Sequence, residues 1–498
     1  MLSPATSSTE SSHDTRPLLS RYQQLEQFLF QPLSIAPLVF FRVFFGVMML
    51  YHLYSMTVDH WIHFFYVLPD FHFTYPGFGW VKPWPGEGMY FHVALMCVAA
   101  TGITLGCCFR LLSLLFFLGY THLFLIEKAL YQNHCYLICL LSGILFLLPA
   151  NRACSVDAYF RWVKPSTQVP AWTLWLLRLQ LGIPYFYGGL AKLNYDWLNS
   201  QPLKLWLARR ENIPFIGELL SSEWSPFAFA YLGTLFDLLI VPALMWRRTR
   251  WIAYALALSF HLTNSILWEI GIFPWFMIGA TLLFFPSDLF RRWMRFPEVT
   301  ADEAIAIPQA AVWRKLQVAC LLAFCAWQLI LPFRHFLYPG DVSWTEEGHH
   351  FAWHMMLREK DVGIRFYVVD PATGTRGLVK VSDFLNERQI SRMGKDPDMV
   401  IEFVHHVRDH YRKHLGKDLQ IYVLNIAALN GRKPQLLMDP TVDYCAVQRS
   451  WLPQPWIVPL EEPLRAEGWS APLDQWEHIL DLDVPPMMRP AQLSTASP

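Results

Sequence analysis

Apolar residues along the chain are gathered into long runs over its first two thirds, and polar residues dominate the last third. An α-helix rises about 1.5 Å per residue, so a run of about twenty apolar residues can cross a bilayer. Such runs lie near 34–57, 87–107, 111–130, 134–150, 172–193, 225–246, 250–268, 270–287 and 313–333. The pattern predicts a polytopic α-helical membrane protein with about 8–9 transmembrane helices.

Beyond Pro332, charged residues and turns replace the apolar runs. Two alternating segments, 363–369 and 377–381, flank the turn DPATG, and a second pair, LQIYVLNIAALN and KPQLLMDPTV, flanks the turn NGR. Such alternation around a turn is typical of β-hairpins. Between the two pairs, 382–393 and 396–414 carry capping residues ahead of helical periodicity. The polar third is therefore predicted to be a C-terminal α+β extramembrane domain.

The composition changes along the chain predict four consecutive parts. They are a disordered polar N-terminus (1–30), a transmembrane helical domain (31–336) that contains an aromatic lid (58–86), the extramembrane domain (337–450) and an irregular tail rich in Pro and Trp (451–498). The lid is too rich in Pro and Gly for a helix and too apolar for a free loop, so we expect it at the outer membrane surface. The polar start carries no apolar core of a cleavable signal peptide, which predicts a cytoplasmic N-terminus.

Basic residues predict the orientation of the helices. Arg110 and the clusters at 152–164, 247–250 and 291–295 all fall on one side of the membrane, and the main exception is the cluster at 204–210. Basic loops favour the cytoplasmic side. An odd number of spans then places the C-terminal domain on the outer side.

The overall composition supports a membrane protein and excludes some other classes. Hydrophobic residues make up 54% of the 498 residues and charged residues only 16%, and the mean hydropathy is +0.24. Forty basic and forty acidic residues cancel, so charge gives no indication of nucleic acid as a partner. The nine cysteines contain no CxxC pair, which argues against a zinc ribbon.

Histidines spaced four apart occur twice in the polar third, at His350 and His354 and at His406, His410 and His414. Such spacing can bind a metal ion on one helical face. However, no HExxH base and no cysteine partner accompany them, and 400–411 otherwise forms an apolar stripe. We interpret these histidines as solvated or flanking positions and predict no metal site.

The strongest candidate for chemistry is Lys192, in PYFYGGLAKLNYDWL, where the fifth apolar run ends. Desolvation favours a neutral amine, the form that can accept a proton. Asn133 and His134 open the fourth run from the same side, and His261 with Asn264 lies toward the same end of the seventh. Ionisable groups within spans are costly, so their convergence predicts a site. The alternatives are a lysine that snorkels to the interface and histidines hydrogen-bonded to neighbouring helices.

Several motifs in order resemble one known family. They are FTYPGFGWVKPWPG, QNHCYLICLLSG, PYFYGGLAKLNYDWL, FHLTNSILWEIGIFPWFMIGATLLFFPSD and WTEEGHHFAWHMMLREK. From about 30 to about 450 the chain resembles the vitamin K-dependent gamma-carboxylase family, in particular its bacterial branch with the HTTM domain. The resemblance implies a peptidyl-glutamate carboxylase that couples oxygenation of vitamin K hydroquinone to the epoxide with proton removal and CO2 addition at a glutamate side chain.

The resemblance also implies roles for individual residues. Lys192 occupies the position of a lysine proposed to deprotonate the hydroquinone. His134 matches a histidine proposed to support carbanion formation or the leaving proton, and His261 matches a further histidine near the site. The binding residues that we expect around them are Asn133, Tyr185, Tyr187, Trp197 and Asn264. Vitamin K hydroquinone, O2 and CO2 are the implied co-substrates, with no metal.

The implied partners are a glutamate-containing peptide or protein, the lipid bilayer and a reductase that recycles vitamin K epoxide. The implied location is a bacterial inner membrane with the C-terminal domain in the periplasm.

Animal members carry two adjacent lysines where this chain has Ala191 and Lys192. Two alternatives follow: a quinol epoxidase without peptide carboxylation, and a non-enzymatic membrane transporter or receptor.

Overall fold

A computed structural model describes residues 21–268, 270–296, 311–465, 467–480 and 485–488. The helices of the first half are α1 (Arg21–Phe30), α2 (Ala36–Val58), α3 (Gly88–Leu105), α4 (Phe109–Ile126), α5 (Asn133–Leu147), α6 (Val156–Tyr159), α7 (Trp172–Ala191), α8 (Tyr195–Leu198), α9 (Leu203–Ala208) and α10 (Gly217–Leu220). Those that follow are α11 (Ser225–Met245), α12 (Arg250–Leu267), α13 (Phe273–Thr281), α14 (Ser287–Trp293), α15 (Ala311–Ile330), α16 (Val342–Thr345), α17 (Glu387–Met393), α18 (Pro397–Leu415) and α19 (Trp476–Leu480). The strands are β1 (Pro32–Ser34), β2 (Gln168–Pro170), β3 (Lys360–Val369), β4 (Arg376–Leu378), β5 (Gln420–Leu429) and β6 (Gln435–Leu436).

Every predicted apolar run contains a helix, namely α2, α3, α4, α5, α7, α11, α12, α13 and α15. Within the described residues, five helices are long and apolar enough to cross a membrane, and the pair Phe273–Phe284 and Ser287–Trp293, bent by 105°, could form a sixth span. Helix α5 is apolar but shorter. The architecture is thus that of a helical membrane protein, in which five or six spans among the described residues are both long and apolar enough, against the 8–9 predicted.

The N-terminal segment differs from the prediction over part of its length. Residues 21–30, expected to be disordered, form α1, and the Phe28 ring lies 5.4 Å from that of Trp175 on α7. Residues 1–20 lie outside the described part of the chain. In the predicted irregular tail, 451–465 is largely without regular structure and Ile457 bridges to Met438 in the preceding domain.

The C-terminal domain is α+β, as the sequence predicts. Its antiparallel sheet has the order β4-β3-β5-β6, and both predicted hairpins are present. Helix α18 begins after Asp396, whose side chain accepts from the Asp398 backbone N–H, and buries Phe403 and Val404 against the sheet. Capping oxygens satisfy the free N–H groups of a first helical turn, so this start is encoded locally.

The aromatic lid packs into the C-terminal domain. It opens with a π-helical turn at His63–Val67. Phe73 is then fully buried in the core of the C-terminal domain, and the Phe71 ring lies 4.3 Å from that of His406. The Thr74 N–H donates to Glu402 at 3.1 Å. The lid therefore joins the two domains, and His406 flanks that contact.

Two buried groups of ion pairs also join the helical domain to the C-terminal domain. Lys128 Nζ lies 2.8 Å from carboxylate oxygens of both Asp396 and Asp398. Just after Lys192, the Asp196 carboxylate accepts two bonds of 2.6 Å from the Arg432 guanidinium. A bidentate pair of this kind fixes relative position as well as adding energy.

We expect Asp196→Asn to loosen this connection strongly, because it leaves the Arg432 guanidinium buried without a charge partner. Breaking a buried pair in this way costs about 3–5 kcal/mol. The measurement is thermal unfolding of the purified protein in detergent. A matched control is Arg209→Gln: Arg209 pairs with Glu359 at 2.6 Å but is 63% exposed, so its loss should cost less than about 1 kcal/mol. Equal unfolding temperatures for the two variants would show that the Asp196 pair does not hold the domains together.

Candidate active site

A cavity of about 590 Å³ lies where α5, α7, α11 and α12 meet the C-terminal domain. Its volume falls in the range typical of small-molecule sites, about 300–1,000 Å³. The predicted site residues that line it are Lys192, His134, His261, Asn133, Tyr185, Trp197 and Asn264. Residues far apart in sequence are thus brought to one space.

Lys192 caps the C-terminus of α7, and its Nζ donates to Asp237 Oδ2 of α11 at 2.5 Å. The two side chains are 9% and 6% exposed. Asp237 lies in an apolar run, and the sequence alone cannot assign its partner. The picture of an isolated amine therefore needs correction, because Lys192 shares its site with a carboxylate that offsets its charge.

One glycine explains why this pair can form. A Cβ on Gly189 would lie 2.9 Å from Leu238 Cγ and 3.0 Å from the Leu238 backbone N. Real Cβ atoms rarely approach neighbours so closely, so Gly189 in PYFYGGLAK permits α7 to pack against α11. A Cβ on the preceding Gly188 would instead meet Met355 Cε of the C-terminal domain at 2.9 Å. The close approach of α7 to α11 places the end of α7 beside Asp237.

A second polar group lies deeper between the helices. The Tyr185 hydroxyl is 2.7 Å from His261 Nε2 and 3.4 Å from Thr281 Oγ1. His261 is 1% exposed, and its Nδ1 has no hydrogen-bond partner among the described residues. A buried polar atom without a partner is costly, and His261 is among the residues that line the cavity.

Asn133 and His134 begin α5 at the border with the C-terminal domain. The Tyr131 hydroxyl donates to Asn133 Oδ1 at 2.9 Å, and Asn133 Nδ2 donates to the His354 carbonyl at 3.1 Å. The His134 ring stacks on Phe273 with centroids 5.8 Å apart. His134 also lines a second cavity of about 190 Å³ on its other side. Its ring is thus part of the wall between two spaces.

The remaining predicted binding residues have different positions. Trp197 Nε1 donates to the Ala230 carbonyl and to Thr234 Oγ1, both at 3.0 Å, and Lys192 Nζ lies 5.2 Å from the Trp197 ring centroid. The Tyr187 hydroxyl instead donates to the Leu329 carbonyl of α15 at 2.5 Å. Tyr187 therefore supports helix packing and is removed from the predicted binding set.

The opposite wall of the cavity comes from the C-terminal domain. Its polar lining residues include Glu346, His349, His350, His354, Arg358 and Lys360, all in or next to the motif WTEEGHHFAWHMMLREK. We call this set the roof. Lys360 Nζ donates to Glu346 Oε1 at 2.8 Å and to the Trp344 carbonyl at 2.7 Å. Arg358 pairs with the same carboxylate and contacts the His349 ring nitrogens.

The roof has a defined charge state near neutral pH. Burial lowers the pKa of Lys360 to about 8, although Glu346 acts in the opposite direction. Burial, more than nearby cations, lowers the pKa of both His350 and His354 to about 3. These imidazoles are therefore neutral at pH 7, and His354 Nδ1 has no partner among the described residues. The roof combines guanidinium and ammonium groups with neutral hydrogen-bonding rings.

Sequence analysis missed the roof as part of the site. It considered His350 and His354 as a possible metal pair and interpreted them as solvated or flanking positions, whereas both line the cavity and 347–353 forms turns rather than a helix. The density of charged and imidazole groups in this motif was the available signal. Within the part of the chain that the structure describes, no three His, Cys, Asp or Glu side chains are grouped to hold a metal ion.

Two family models match the chain. Residues 30–289, more than half of the chain, match the HTTM domain, and residues 313–463 match the lumenal domain of vitamin K-dependent gamma-carboxylase. The chain belongs to the vitamin K-dependent gamma-carboxylase family. The resemblance seen in the sequence motifs is thereby confirmed. No solved structure matches the chain.

The family indicates which chemistry to compare with the cavity. Vitamin K-dependent carboxylases use vitamin K hydroquinone, O2 and CO2 as co-substrates and act on a glutamate-containing substrate in a lipid environment. A hydroquinone is a flat apolar ring with two hydroxyl groups. The helical end of the cavity is lined by apolar Phe260, Phe273 and Met277 together with His261 and Lys192.

Proposed function

We propose that this family member is an integral membrane gamma-glutamyl carboxylase. In this proposal it couples oxygenation of vitamin K hydroquinone to the epoxide with proton removal and CO2 addition at a glutamate side chain. The observation that carries the proposal is that one cavity joins the Lys192–Asp237 pair, His134 and His261 to the roof. An apolar quinol and a carboxylate can therefore bind within one enclosed space.

Lys192 is the proposed base toward the quinol. The pKa of a phenolic hydroxyl is near that of tyrosine, about 10, so a neutral amine is a suitable acceptor. Lys192 can be neutral when the shared proton rests on Asp237, at the other end of their 2.5 Å hydrogen bond. Because an ion pair and the corresponding neutral pair have the same net charge, the proton can move between them without leaving a net charge in the apolar site.

His261 and Tyr185 are proposed to orient the quinol. The Tyr185–His261 bond of 2.7 Å fixes the imidazole ring, and both side chains line the cavity. The oxygenated quinol supplies the strong base that removes the gamma proton of glutamate. Groups fixed before binding lose little entropy in the reaction, which is how a rigid site accelerates it.

The roof is proposed to hold the glutamate side chain. Arg358, whose side chain is 19% exposed, presents positive charge to the cavity, and attraction for a carboxylate is stronger in a desolvated site than in solvent. The Lys360 ammonium adds to this charge, although its Nζ already donates to Glu346, Trp344 and Lys395. The lumenal domain forms one wall of the cavity, and exclusion of water is proposed to protect a carbanion from protonation before CO2 adds. The His134 ring lies beside the roof and has no side-chain hydrogen bond among the described residues. We propose that it acts near the gamma carbon of the bound glutamate.

We further propose that the lumenal domain faces the periplasm of a bacterial inner membrane. The basic loops at 110, 152–164 and 247–250 support a cytoplasmic face on the other side. A glutamyl peptide would then reach the roof from outside, and the quinol would come from the bilayer. A reductase that recycles the epoxide is the proposed partner.

The test is incubation of membrane vesicles with reduced vitamin K, labelled bicarbonate and a glutamate-containing peptide. Label in the peptide together with epoxide supports carboxylation, whereas epoxide alone indicates a quinol epoxidase. Neither product would favour a transporter or receptor and contradict the proposal. Comparison of right-side-out with inverted vesicles tests the orientation, since the peptide does not cross the bilayer and should react only in the former.

A further inference from the structure

The main cavity extends along the contact between α11 and α12. On α11, the residues that line it are Phe229, Gly233 and Asp237, each four positions apart and thus on one edge of the helix. On α12, the lining residues include Phe260 and Asn264. The cavity therefore follows a line that leads toward the Lys192–Asp237 pair.

Aromatic side chains fill the space beside α11 one turn before and one turn after Gly233. One turn inward, the Phe236 ring stacks on Phe260 with centroids 4.1 Å apart. One turn in the other direction, Phe229, Trp206 and Trp268 pack against one buried cluster that includes Trp197. The ring centroids of Trp206 and Trp268 are 5.4 Å apart. Gly233 lies between these two positions, at which aromatic side chains fill the space between α11 and neighbouring elements.

The space beside Gly233 is open. Apart from adjacent backbone, none of the described residues places a heavy atom within 4 Å of where a Cβ on Gly233 would lie. This contrasts with Gly189 of α7, where a Cβ would meet Leu238 at 2.9 Å. Gly233 is thus not required for helix packing, and its missing side chain leaves a gap between α11 and α12.

The outer side of this gap faces the membrane. Leu232 and Leu235 flank Gly233 on α11 and are 66% and 53% exposed. Helix α11 is one of the five helices of spanning length and apolarity in the described residues. Exposed leucines on such a helix contact lipid. The gap at Gly233 therefore lies between lipid and the cavity.

We propose that the gap at Gly233 is a lateral opening that holds the polyprenyl tail of a membrane-dissolved quinol while its ring lies at Lys192 and Asp237. This inference rests on the proposed function and specifies how its co-substrate binds. Asp237 is one turn from Gly233 on the same edge of α11, so ring and tail positions are adjacent. The other wall of the cavity is the charged roof, and passage of a tail through it would bring apolar surface against Glu346, Arg358 and Lys360.

The test is to fill the opening with Gly233→Phe. Its matched control is Leu232→Phe, which adds an aromatic ring at the neighbouring position on the lipid side. The probes are two naphthoquinones, one with a polyprenyl tail and one with only a methyl group in its place. Binding is measured by quenching of tryptophan fluorescence, because Trp197, Trp206 and Trp268 line the cavity.

We expect Gly233→Phe to raise the Kd of the tailed quinone by about tenfold or more, since several buried CH2 groups lose their contacts. The Kd of the tail-free quinone should stay unchanged, which also reports that the variant is folded. Leu232→Phe should change neither. An equal increase in the Kd of both quinones, or no change in either Kd, would contradict the proposed opening. Failure of the wild type to bind any quinone would instead contradict the proposed function.

Discussion

Lys192→Ala is expected to abolish epoxide formation from reduced vitamin K in membranes. Removal of a general base typically costs about 10²–10⁴-fold in rate, and the Asp237 carboxylate, which also lines the cavity, is a much weaker base than an amine. Epoxide release per molecule of protein is the measurement. Unchanged turnover would refute the assignment of Lys192 as the base.

This variant needs controls, because it leaves Asp237 buried without its cation. An unpaired buried charge is destabilising in its own right. The double variant Lys192→Met/Asp237→Leu removes both charges and should restore folding while it remains inactive. Lys164→Ala changes an exposed lysine in a loop and should keep full activity. Recovery of turnover in the double variant would show that the pair is structural rather than catalytic.

His134→Ala is expected to reduce carboxylation more than epoxidation, by about tenfold or more in the ratio of the two products. The reason is its position: His134 follows Asn133, which bonds to the His354 carbonyl of the roof, whereas the Lys192–Asp237 pair stands on other helices. Both products are measured in one reaction with labelled bicarbonate. An equal loss of the two would indicate a structural or quinone-binding role.

A suitable control for His134 is His92→Ala. His92 is also buried, and its Nε2 bonds to the Gly119 carbonyl at 2.9 Å, within the packing of α3 against α4. Its loss should lower stability and reduce both products alike. A selective effect of His92→Ala on carboxylation would mean that the selectivity of His134→Ala does not arise from contact with the substrate.

Much of the fold could be predicted because its signals are local. Each apolar run became a helix, and the turns DPATG and NGR sit between paired strands. Asp396 caps α18 as expected. Runs, turns and caps depend on residues a few positions apart, so one stretch of sequence is sufficient to encode them.

The number of spanning helices is harder to predict, because hydropathy counts residues and not their surroundings. Arg178 on α7 donates to the carbonyls of Leu283 and Phe285, and such polar residues reduce apolarity without preventing burial among helices. Helix α13 ends at Thr281, and a sharp bend between Phe284 and Ser287 separates it and the following 3₁₀ turn from α14. The apolar run 270–287 does not reveal this bend.

The sequence by itself determined the family, the helical membrane domain, the α+β lumenal domain and the candidates Lys192, His134 and His261. Only the tertiary structure decided which groups contact these candidates. Asp237 bonds to Lys192, and Tyr185 bonds to His261. The roof forms the opposite wall of the cavity, whereas Tyr187 bonds to α15 instead of lining it. The physical reason is that hydropathy and capping act along the chain, whereas partners at 2.5–2.7 Å depend on which helices pack and how closely. For Lys192 that distance depends on Gly189, whose missing side chain lets α7 pack closely against α11.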